Sequence, residues 1–124
     1  MIYSDLIIND KQLKLRLDAR GCVALERRLG KSPLNIFMTV DKSLPKLEEL
    51  ILILHASLQK YNQGYTEDKT YDLYDEYIEQ GNTFTDFIPV VMDIFKVSGF
   101  FKEEETKQEA TEVIEEKKLI AMEK

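Results

Sequence analysis

Residues 44–61, LPKLEELILILHASLQKY, constrain the chain more than any other stretch. Leu47, Leu50, Ile51, Leu54 and Leu58 recur at helical spacing, and Leu52 and Ile53 flank that stripe on both sides. A helix that is apolar nearly all round has to be enclosed by other elements. It is expected to be the central core helix, starting near Leu44-Pro45 and stopping at the turn residues Asn62-Gln63-Gly64. Its longest apolar run, LILIL, is far below the roughly 20 residues that cross a bilayer, so no membrane partner is expected.

The neighbouring segments supply candidates for the enclosure. Leu13, Leu15 and Leu17 alternate with Lys14 and Arg16, the period of a half-buried strand, and Asn9-Asp10 tolerates left-handed backbone between two apolar runs. This predicts a β-hairpin pairing residues 6–8 with 13–17, its leucine face packed on helices. Asp18 as N-cap, Cys22, Leu25 and Leu29 at helical spacing and Gly30 as stop predict a helix over residues 19–29. Ser32-Pro33 signals a short helix through PLNIFM, with Leu34, Phe37 and Met38 pointing one way. Thr66, with Glu67 and Asp68 behind it, caps a helix to about Gln80. Steps of about 100° put Tyr71, Leu73, Tyr74, Tyr77 and Ile78 on one half of it and Asp72, Asp75, Glu76 and Glu79 on the other. Thr83-x-x-Asp86 reads as a capping box opening the last core helix, which Ser98-Gly99 closes; Pro89 predicts a kink or a later start.

Beyond Phe100-Phe101 the chain changes character. Glu103, Glu104 and Glu105 come early and Lys117-Lys118 late, the order a helix dipole favours, and Ala110, Val113, Ile114, Ile120 and Ala121 lie roughly along one side, interrupted by Lys117. The like-charged pairs Glu105/Glu109 and Glu112/Glu116 oppose helix formation. The expected architecture is α+β and predominantly α. A hairpin and a bundle of four to five helices form one compact domain over residues 1–101, and residues 102–124 are a charged tail, helical in part or disordered.

The chemistry of the chain points away from catalysis. A formal charge of -6 argues against nucleic acid, and the short basic knot of Arg27, Arg28 and Lys31 suits a helix C-terminus. One cysteine, Cys22, closes no intrachain disulfide, and Ile-Tyr-Ser-Asp after Met1 carries no basic leader, which leads us to expect a cytosolic protein. The carboxylates Asp72, Asp75, Glu76 and Glu79 share one face and could hold a divalent cation, the basis for a metal-dependent hydrolase. No second element offers matching ligands, and any solvated amphipathic face has this spacing. His55 borders the apolar stripe as a core-edge residue, and Cys22 has no visible base beside it. No phosphate-binding loop, nucleophile elbow or Cys-x-x-Cys pair is present. No enzyme, cofactor or metal centre is expected.

Aromatic residues concentrate late in the chain. Phe87 and Phe95 accompany Tyr71, Tyr74, Tyr77, Phe84, Phe100 and Phe101 in the last core helices. We expect these to divide between core and a surface for a partner helix or another copy of the chain, with Tyr71, Tyr74, Tyr77, Phe84, Phe100 and Phe101, joined by Val113 and Ile114 of the tail, as partner-binding candidates.

Three phrases in order, LKLRLDARGCVALERRLGKSPLNIF, LPKLEELILILHASLQKY and YDLYDEYIEQGNTFTDFIPVVMDIFKVSGFF, resemble the small tail assembly chaperones of long-tailed phages and prophages of Gram-positive bacteria, over residues 5–101. The resemblance implies a protein that binds the tape measure protein, keeps its apolar segments from aggregating and helps bring tail tube subunits to it. It implies action in the host bacterial cytoplasm and departure before the virion matures. It also implies a second, longer frameshift product whose extra domain recruits the tube protein, with the charged tail as the link. Phe100-Phe101-Lys102 or Lys117-Lys118 could be encoded by slippery runs. The alternative reading is a small non-enzymatic adaptor with another partner.

Overall fold

The computed structural model describes residues 2–36 and 44–100, and it is α+β, mostly α: an antiparallel hairpin, four α-helices and one 3-10 turn. Strand β1 (Ser4–Ile8) pairs with β2 (Lys11–Leu15) in the register Leu6 to Leu13 and Ser4 to Leu15. Asn9 supplies the left-handed turn at φ 54°. Leu6, Ile8, Leu13, Leu15 and Leu17 are all buried, as the alternation requires. Pairing begins earlier than the apolar run, at Ser4, whose hydroxyl donates to Asp93 at 2.6 Å. It stops at Leu15 because the Arg16 N–H leaves the ladder and donates to the Ser57 carbonyl at 2.9 Å.

Helix α1 (Ala19–Leu29) has the expected bounds: the Asp18 carboxylate accepts from the Gly21 N–H at 2.7 Å, and Gly30 ends it at φ 76°. The 3-10 turn at Pro33–Ile36 differs from the expected apolar face, for Pro33 and Ile36 are the buried residues and Leu34 is half-buried. A 3-10 turn eclipses residues three apart, which sends Pro33 and Ile36 inward together. Phe37 and Met38 lie outside the described residues.

Helix α2 (Leu47–Leu58) is the enclosed core helix: all but four of its residues are buried, and those four are Leu47, Glu48, Glu49 and His55. It is shorter than expected at both ends. The Lys46 N–H donates to Glu49 at 3.1 Å, setting the start at Leu47, which is itself exposed; Asn62 and Gln59 side chains bond carbonyls of the last turn. Burial would raise the Glu49 carboxyl, but Lys31 Nζ at 2.7 Å and the Lys46 N–H outweigh it and hold the group below its ordinary value. A depressed carboxyl contributes stability that is present above its unfolded pKa and lost as pH falls through its folded one. Glu49→Gln should therefore cost up to about 1 kcal/mol at neutral pH, and the cost should fade as pH drops below the ordinary carboxylate range, measured by urea denaturation across that range.

Helices α3 (Glu67–Glu79) and α4 (Phe84–Val97) complete the enclosure. Thr83 and Asp86 form the expected reciprocal box, Oγ1 accepting from the Asp86 N–H at 3.2 Å and the carboxylate from the Thr83 N–H at 2.9 Å. Thr83→Ala should lower stability by about 1 kcal/mol in the same denaturation assay. The later start that Pro89 suggested does not occur; α4 runs through it, with Pro89 on the exposed side.

Polar contacts pin the hairpin to three helices. The Gln80 amide accepts from the Asn9 N–H at 2.8 Å and donates to the Ile7 carbonyl at 3.3 Å, holding the turn against the end of α3. Asn62 donates to the Lys14 carbonyl at 2.6 Å. Arg16 Nη1 donates to the Ile2 and Val97 carbonyls at 2.8 and 2.9 Å, and the Leu17 N–H donates to Ser98 Oγ at 2.8 Å, which sets the end of α4 beside the start of α1.

Candidate functional site

The described surface includes a polar and an apolar concavity. One, of about 450 Å³, is an open polar hollow beneath the hairpin turn, bounded by Lys11, Lys69, Asp72, Glu76 and the 63–65 turn. Lys11 Nζ meets Glu76 at 2.8 Å within it, an exposed pair of small energetic weight. The other, of about 220 Å³, is an apolar groove between α1 and α2.

The groove follows from residue size. Gly21 and Ala24 on α1 face Leu52 and Ala56 on α2, and a Cβ at Gly21 would stand 2.9 Å from Asp18 Oδ1 and 3.6 Å from the Ala56 carbonyl. Glycine in the first turn of α1 thus gives room both to its own cap and to the neighbouring helix. The small side chains leave a trough floored by Leu25, Leu52 and Ala56. His55 and Gln59 form one rim, and Arg28 Nε, bound to Glu67 at 3.1 Å, closes the end towards α3. Such a trough accepts the apolar side chains of a docked segment, and its polar rim can bond that segment's edges.

The expected partner-binding residues do not gather there. Tyr71 is 43% exposed, but Tyr74 and Tyr77 are 7% and 5% exposed and pack edge-on against Phe87, with ring centroids 5.3 and 5.4 Å away. Their phenol pKa values are pushed up by burial, with nearby acidic groups adding to it. Tyr74 and Tyr77 are therefore core residues and offer no contact surface. The inward side of α3 is centred on Thr70, Leu73, Tyr74 and Tyr77, which leaves Tyr71 and Ile78 outside it. Phe84 and Phe100 are half-buried against the core, Phe100 at 5.2 Å from Phe95. Phe101, Val113 and Ile114 lie outside the described residues.

The groups considered for catalysis are dispersed. Asp72, Asp75 and Glu79 are exposed, and Glu76 is held by Lys11. Among the described residues no three His, Cys, Asp or Glu side chains come together as a metal site. Burial, then Glu26, pushes the Cys22 thiol up, the opposite of an activated nucleophile. Among the described residues no helix is long and apolar enough to cross a membrane.

A family model described as a family of unknown function (DUF6096) matches residues 4–123. The chain belongs to the DUF6096 family. No curated protein and no solved structure matches it. The matched span of this DUF6096 chain includes both the helical body and the charged segment that follows it, so the two are parts of one family unit. Sequence reasoning passed over the groove, although Gly21 carried a signal: glycine inside a helix costs stability and marks a place where something approaches closely.

Proposed function

We propose that this protein is a non-enzymatic assembly chaperone that holds apolar helical segments of a client, with the tape measure protein of a long-tailed phage or prophage as that client. The observation that carries the reading is the α1–α2 groove, an apolar trough with a polar rim on an acidic protein. A trough of that kind fits the apolar stripe of one helix and leaves the client's polar side in water. The resemblance of residues 5–101 to tail assembly chaperones supplies the client's identity. On this reading the protein works in the host cytoplasm, is absent from the mature virion, and a longer frameshift product brings tail tube subunits.

The test is co-expression with the tape measure protein encoded in the same genome. The client is expected to move into the soluble fraction and to co-purify with the chaperone. A client equally soluble alone removes the motive for the proposal, and a gene neighbourhood with no tail tube or tape measure genes would favour an adaptor with another partner.

A further inference from the structure

We infer that the α1–α2 groove is occupied, in the protein without a client, by the chain's own C-terminal segment, residues 110–121. The inference deepens the groove's proposed role by naming what covers it when no client is present.

Three observations converge on that occupant. The first is position. The Leu17 N–H to Ser98 Oγ bond sets the end of α4 four residues along the chain from Gly21 of the groove, at most about 14 Å away. Residues 101–109 can span up to about 30 Å when extended, well beyond that separation. The second is charge. Helix α1 carries Arg20, Arg27 and Arg28 against the single acid Glu26, a basic element in a protein of net charge -6. Arg20 and Arg27 stand at i−4 and i+3 from Ala24 and so share its flank of the helix, and both are exposed. Residues 110–121 hold Glu112, Glu115 and Glu116 against Lys117 and Lys118, and residues 101–124 together hold eight glutamates and five lysines, the complementary sign. The third is pattern. Ala110, Val113 and Ile114 recur at helical spacing as small and β-branched apolar residues, and Ala121 continues the stripe beyond Lys117, whose long stem can carry its ammonium out to the polar rim of a trough made shallow by Gly21, Ala24 and Ala56. As a helix, residues 110–121 would be about 18 Å long, enough to cover the roughly 10 Å of α1 between Gly21 and Arg28.

The segment therefore acts as an internal substitute for the client: it shields the groove from self-association and is displaced when a better apolar helix arrives. Docking within one chain needs little intrinsic affinity, because the linker keeps the local concentration high.

The test uses the full-length chain with a nitroxide on Thr111→Cys in a Cys22→Ala background, observed by amide NMR. Amides of Ala24, Arg28, His55 and Gln59 should lose most of their intensity, while those of the hairpin turn and of Gln80, which meets it at the end of α3 away from the groove, keep theirs. Ala24→Glu in the groove and, separately, Ile114→Asp in the segment should each restore the lost signals. Because Ile114 belongs to the proposed occupant and not to the groove, that variant decides the matter even if the groove variant folds poorly. Uniform or absent broadening overturns the inference. So does broadening in a mixture of isotope-labelled unspun chains with spin-labelled unenriched ones, which would make a second copy the occupant. The experiment contains no client, so a failed tape measure co-expression leaves its result standing, and failed docking leaves the groove open to a client.

Discussion

Replacing Phe87 with alanine should cost about 3–5 kcal/mol of folding stability, among the largest effects expected from one side chain of the described residues. Phe87 is fully buried near the start of α4, and the rings of Tyr74 and Tyr77 meet it edge-on from α3. Truncation removes the buried ring, opens a cavity and breaks both aromatic pairs, which add about 0.5–1.5 kcal/mol each beyond area. A domain of this size has about 5–15 kcal/mol in total, so the variant should unfold at markedly lower urea and lose much of its helix signal near physiological temperature. Tyr71→Ala is the control. Its ring is exposed one residue outside the inward side of the same helix, and its cost should stay within about 0.5 kcal/mol. Equal losses from the two would mean that α3 does not pack as described.

The second large effect is functional. Ala24→Glu is expected to reduce client rescue at least about tenfold, read as the soluble fraction of tape measure protein on co-expression, which corresponds to about 1.4 kcal/mol or more of lost binding. Ala24 is exposed on α1 and lines the groove, so the parent fold gives the new side chain room. A docked helix would have to cover a carboxylate against Leu25, Leu52 and Ala56 with no water to solvate it. Chaperone stability should shift by no more than about 0.5 kcal/mol, which separates loss of the surface from loss of the fold. Full rescue by this variant would place the client elsewhere, with the exposed apolar residues Ile7, Ile78 and Tyr71 as the next surface to change.

The sequence was most informative where structure is decided within a few residues. The Asp18 cap, the Gly30 stop and the Thr83–Asp86 box depend on bonds spanning three or four positions, and each was visible in the residues themselves. The buried strand face of Leu13, Leu15 and Leu17 was equally plain, because a period of two assigns sides without reference to neighbours. Errors arose where the limit of a buried face depends on what lies across from it. Leu47 belongs to the stripe of α2 by spacing but sits at its exposed first turn, and Tyr71 and Ile78 share a half of α3 with core residues yet lie outside its inward side. Pro33 and Ile36 replaced Leu34 as the inward residues once the short helix proved to be a 3-10 turn. The groove was the least legible feature, since it is made by small residues on two helices separated in the chain.

By itself the sequence determined that a helix apolar on nearly every side must be wrapped by a hairpin and amphipathic helices, because water excludes that surface whatever the details of wrapping. Only the tertiary structure decided where the wrapping is incomplete. Side-chain volumes at Gly21, Ala24 and Ala56 set how α1 and α2 meet, and whether an apolar position becomes core, rim or open trough depends on the atoms facing it across that contact.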